Sequence, residues 1–119
     1  MSAPNIVNVT NIIGNTGVQL VTTSPAAIVT NSAASGKVYK LNALIVSNVD
    51  SANMATVTVD LYRSSTAYPI INSVSVLINT SFTPIDKGLC LYLLEGDSIR
   101  LTANANSRLT AVCSWEEIS

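Results

Sequence analysis

The side chains that could do chemistry in this 119-residue chain are few, and their spacing suits catalysis badly. There is no histidine, which removes the usual general base near neutral pH and the commonest metal ligand. Seven carboxylates remain. Glu95 and Asp97 are near neighbours, but they flank Gly96 in a turn, where carboxylates normally stay solvated. Cys90 and Cys113 are too few for a disulfide framework, and they would need carboxylates to complete a zinc site. Both fall in strand-like runs, so they are expected to be buried thiols packing as small hydrophobes; a bridge between them is geometrically possible if their strands pair, but nothing in the sequence requires it. Asp50-Ser-Ala-Asn53 offers oxygens to calcium but lacks the spaced acidic ladder of a dedicated loop. No nucleophile elbow and no phosphate-cradling glycine loop is present. The expectation is a protein that is not an enzyme and uses no cofactor or metal.

Charge narrows the partners. Only 11% of residues are charged while 48% are apolar, against about 25% charge in an ordinary globular domain. A small chain this short of charge is expected to cover part of its surface with copies of itself or with a partner. The six basic residues are scattered from Lys37 to Arg108 and the net charge is −1, which argues against nucleic acid. No apolar run is long enough to span a bilayer, so no membrane partner is expected. The opening MSAPNIVNVT has no basic segment followed by an apolar core, so no signal peptide is expected. Glycosylation needs secretion, so Asn8-Val-Thr10 and Asn79-Thr-Ser81 read as chance matches to its acceptor pattern.

These residues must be positioned by strands. Alternation of apolar and polar residues recurs in short runs with turn signals every eight to twelve residues. In the last third, Leu89, Leu91 and Leu93 share one phase, as do Ile99, Leu101 and Ala103, then Leu109, Ala111, Cys113 and Trp115. Turns at Glu95-Gly96-Asp97 and Asn104-Ala-Asn-Ser107 predict a three-stranded meander, with Trp115 plugging one end of the core. Upstream, Ile6–Ile13 and Val18–Thr23 read as a hairpin around Gly14-Asn15, and residues 26–30 as a short strand. Residues 37–48 form the longest candidate, with Tyr39, Leu41, Ala43 and Ile45 on one phase and Leu44 and Val46 on the other. Residues 55–63 alternate cleanly. Pro69 confines the strand over 68–78 to an edge or a bulge, and the stretch 80–87 carries Pro84 into a turn. The expected fold is all-β: one antiparallel sandwich, jelly-roll-like, of eight or nine strands, forming a single domain over 1–119 with a loose arm at about residues 1–5.

Six residues are expected at contacts with other subunits. Leu44 and Val46 oppose the presumed core phase of their strand, and Tyr62 and Tyr92 lie on polar phases. Glu116 and Glu117 form a terminal acidic pair that could meet a basic patch. The two tyrosines could instead form a platform for a glycan, which is the lectin-like alternative.

Four segments in order carry a resemblance over residues 37–119. They are the strand Lys37-Val-Tyr-Lys-Leu-Asn-Ala-Leu-Ile-Val-Ser-Asn48, then Val59-Asp-Leu-Tyr62, then Leu91-Tyr-Leu-Leu-Glu-Gly-Asp-Ser-Ile99, and the ending Cys113-Ser-Trp-Glu-Glu-Ile-Ser119. Together they resemble small virion proteins of tailed bacteriophages, especially phages of aquatic bacteria. Leu94 departs from that pattern, which has an acid there. The resemblance implies a non-enzymatic structural protein located in the virion. Its implied role is a capsid decoration or cement protein, a homotrimer clamping neighbouring capsomers through the major capsid protein. The alternative is a neck or tail adaptor or appendage.

Overall fold

Residues 10–86, 88 and 91–119 are described by a computed structural model. The arm expected at residues 1–5, and Leu89 and Cys90, lie outside them. Among the described residues nine strands form where the alternating runs fall: β1 (Ile12–Val21), β2 (Ala26–Thr30), β3 (Val38–Asn48), β4 (Ala55–Arg63), β5 (Thr66–Val76), β6 (Ser81–Ile85), β7 (Leu91–Leu93), β8 (Ser98–Ala103) and β9 (Leu109–Ile118). All pairings are antiparallel. One sheet runs β1-β9-β3-β6, with β7 also paired to β3, and the other runs β2-β8-β4-β5. Apart from the short β7, this is the strand order of a jelly roll.

Alternation drives the packing. The inward phases meet between the sheets, which close over Leu41, Leu44, Leu93, Ile99, Leu101 and Leu109, all fully buried, with valines such as Val57 and Val59 between them. Burying each such side chain contributes about 1.5–3 kcal/mol relative to exposure. The β4, β8 and β9 phases fall as the sequence predicts: Val57, Val59, Leu101, Ala103, Ala111 and Cys113 point inward. Trp115 packs against this core and stacks on Tyr39, ring centroids 6.4 Å apart.

Four expectations need correction. Gly14 and Asn15 do not turn the chain; β1 runs straight through them because all ten of its residues pair with β9, from Ile12 opposite Ile118 to Val21 opposite Leu109. The last third is not a meander either. β7 and β9 join one sheet and β8 the other, because alternation marks a strand without naming its partner. The stretch around Pro84 forms β6, tolerated because β6 lies at a sheet edge, where a missing N–H costs no interior ladder bond. Leu44 and Val46 are core residues, not outward ones. Leu41 faces Trp115 and Ala43 faces Ser114, so Asn42 is an extra residue in β3. That bulge flips the phase: Leu41 points inward before it, Leu44 and Val46 after it, and Ile45 is left outside.

Polar side chains seal both ends of the sandwich. At one end fully buried Asn31 donates through Nδ2 to the carbonyls of Lys37 and Leu93 at 2.9 and 3.0 Å. At the other, Asn48 donates to the carbonyls of Asn53 and Val76, both at 3.0 Å. Asn104 and Asn106 do not bond their own turn; their Oδ1 atoms accept from the distant Thr56 and Thr23 amides at 2.9 and 3.0 Å.

Candidate assembly surface

The bulge in β3 decides which residues reach the outer face of the larger sheet. Directly opposed residues on antiparallel strands share a face. Val18 lies opposite Val112, and Val112 opposite Ile45, giving an apolar row across β1, β9 and β3. These side chains are 77%, 39% and 38% exposed. Leu20, Thr110 and Ser47 flank the row on one side, and Thr16, Ser114 and Ala43 on the other. None of the nine carries charge. A more polar row follows toward one end: Gly14, Glu116, Lys40 and Tyr92 lie side by side across β1, β9, β3 and β7.

Next to this face, β1 is the edge strand. Among the described residues its side away from β9 is paired with no strand. It has no proline, no charge and no register shift along its length. An unpaired edge of that kind is a ready template for a further strand. Charge content and the in-phase Val18 and Leu20 were signals in the sequence for this edge, but the hairpin reading had supplied the strand with a false partner.

The other residues expected at contacts fall apart in space. Tyr62 lies on the outer face of the smaller sheet, its ring 4.2 Å from the Arg100 guanidinium carbon in a cation–π contact. Tyr92 lies on the larger sheet, so the two tyrosines share no platform. Glu116 and Glu117 point to opposite faces of β9. Glu116 accepts from Asn42 Nδ2 at 3.0 Å. Glu117 is held by three donors: Asn15 Nδ2 at 2.6 Å, Lys37 Nζ at 3.2 Å and Trp115 Nε1 at 3.3 Å. Burial pushes its carboxyl upward, but these bonds leave it below the usual carboxylate range.

Asp97, Asp50 and Cys113 are also tied into the fold. Asp97 is buried rather than solvated, and Arg63 grips both its oxygens. Asp50 accepts from the amides of Ala52 and Asn53 and lies 3.7 Å from Arg108. This is a self-closed turn, and no group of three metal-ligating residues occurs among the described residues. Cys113 is buried, and burial pushes its thiol up to about 12. No helix among the described residues is long and apolar enough to cross a membrane.

No protein-family model and no curated protein matches the chain. Six chains of solved structures match. One comes from Bacillus endospore appendages, described as a novel family of disulfide-linked pili. It superposes with a TM-score of 0.55 at 14% identity, over 100% of this chain and 96% of its own. At that identity the likeness is one of fold.

Proposed function

We propose that this protein is a non-enzymatic structural subunit used in many copies in a bacteriophage virion, as a decoration or cement protein on the capsid. The observation that carries the reading is the uncharged apolar row Val18–Val112–Ile45 beside the open edge of β1, on a molecule whose buried Asp97 carboxylate is spent on an internal ion pair. A surface of this kind holds by repetition, since each small contact is made within an already tethered array. The appendage protein of the same fold supports a structural role.

That neighbour also favours a second reading, a subunit of a neck, tail or other extracellular fibre. Cross-linking by disulfides does not carry over through Cys113, which lies in the core with a thiol held protonated. The lectin-like reading loses its platform, because Tyr62 and Tyr92 stand on different sheets.

Quantitative mass spectrometry of purified virions tests the proposal. The chain is expected at a copy number comparable to the major capsid protein; far fewer copies per particle would move it to the neck or tail. Its absence from particles and from shed fibres would overturn the structural reading.

A further inference from the structure

Among the described residues the sandwich has four sheet edges, and three of them are blunted. β2 is five residues long with a register shift, and its Ala27 carbonyl accepts from Gln19 Nε2 at 3.0 Å. β5 carries Pro69, two register shifts and Ser73 in a left-handed conformation at φ 52°. The far edge of the larger sheet is split between β6, with Pro84, and the three-residue β7. Proteins use short strands, prolines and bulges to stop edge-to-edge pairing. Among the described residues, only the β1 edge lacks all of them.

We infer that β1 joins two copies of this chain by pairing antiparallel with the β1 of the second copy about a two-fold axis through Thr16. The inference rests on the multi-copy reading above. With the other edges closed, β1 has no complementary edge on the same molecule to take a head-to-tail partner. The matching surface is itself, and self-matching surfaces meet on a two-fold. The strand suits this arrangement. Any charge on it would confront its own copy, and IIGNTGVQLV has none. Centring the pair on Thr16 keeps the outer faces continuous. It sets Ile12 against Leu20, Gly14 against Val18 and Thr16 against Thr16, so the exposed Ile12 and Leu20 side chains of the two copies meet on both sides of the axis. The two larger sheets merge into one. The building block is then a pair, not the trimer that the virion resemblance implies.

Light scattering across a concentration series tests it, with Thr16→Lys and Thr16→Asp variants. The wild type is expected at twice the 12.5 kDa chain mass. Each variant alone is expected as a monomer, because like charges meet at the axis. An equimolar mixture of the two is expected to recover the doubled mass, which only residue 16 facing residue 16 can produce. A wild type that is monomeric at every concentration overturns the inference, as does a mixture that fails to re-pair. Either result leaves the structural reading standing if the chain is still recovered in many copies from particles. Should the charged variants misfold, Thr16→Cys gives the second measurement. Oxidation is expected to yield a covalent dimer that the wild type does not form, and no added cross-link would overturn the two-fold.

Discussion

Arg63 and Asp97 form a forked pair, with Nε and Nη2 of the arginine donating to the two carboxylate oxygens at 2.8 and 2.6 Å. The aspartate is 2% exposed and also accepts from the Leu94 amide at 2.9 Å, while its own carbonyl accepts from the Asn31 amide. One side chain thus ties the end of β4 to the turn between β7 and β8, and through the backbone to the end of β2. Gly96 makes that turn possible with φ +88°.

Asp97→Asn should therefore weaken the side-chain bonds from Arg63 and Leu94 together and leave the backbone bond to Asn31 in place. It keeps the shape but removes the charge that Arg63 was bonded to. Arg63 is 43% exposed and regains water, so the loss belongs with a charged hydrogen bond rather than a stranded buried ion: about 1–3 kcal/mol. A urea melt followed by Trp115 fluorescence would measure it, and an unchanged midpoint would show that the pair is decorative.

The same pair sets an acid limit. Burial raises the Asp97 carboxyl, but the bonds from Arg63 and Leu94 leave it below its ordinary value, and Glu117 is lowered in the same sense. A carboxylate with a depressed folded-state value contributes stability above its unfolded value of about 3.9–4.3, and that contribution is lost as pH falls toward the folded value. Stability should be level from about pH 7 to 5 and decline below about pH 4. In Asp97→Asn the decline should be shallower, because one of the groups no longer titrates. Chemical denaturation at a series of pH values reads both slopes.

Much of this fold was legible in the sequence because its strands are short and strictly alternating. β4 was read to the residue, since Ala55, Val57 and Val59 never leave their phase. What the residues could not show was pairing at a distance. Asn42 looks like any polar strand residue, yet as an extra one between Leu41 and Ala43, opposite Trp115–Ser114, it reverses the phase of everything after it. Leu44 and Val46 were placed outside for that reason, and the true outer residue, Ile45, was placed in the core. Asp97 was misread similarly: turn chemistry predicted exposure, and the partner that buries it lies 34 residues away.

Gly17 and Gly14 look equivalent on β1 and should behave oppositely. A Cβ on Gly17 would stand 3.1 Å from two Trp115 ring carbons and 3.3 Å from the Ile28 carbonyl, whereas one on Gly14 meets nothing within 4 Å. Gly17→Val should displace the indole and cost about 1–3 kcal/mol as an overpacked site. Gly14→Ala should be neutral or stabilising by up to about 1 kcal/mol, since the unfolded chain loses freedom. Trp115 is the single tryptophan, so its emission reports the displacement directly, and a red shift is expected only for Gly17→Val.

The bulge itself is testable through neighbours one residue apart. Leu44 is fully buried, and Ile45 stands 38% exposed in the outer row. If Asn42 is the extra residue, Leu44→Ala opens a cavity and costs about 2–5 kcal/mol, while Ile45→Ala changes the stability of the folded chain by less than about 1 kcal/mol. An unbulged β3 continuing the phase of Leu41 would reverse that order, because Ile45 would then be inside and Leu44 outside. Paired urea melts of the two variants decide between them. Deleting Asn42 sharpens the choice: with the extra residue gone, Leu44 and Val46 stay opposite Cys113 and Ala111 on the inner face and the sandwich should still form, whereas in an unbulged β3 the deletion would reverse the phase and turn Ile45 to solvent.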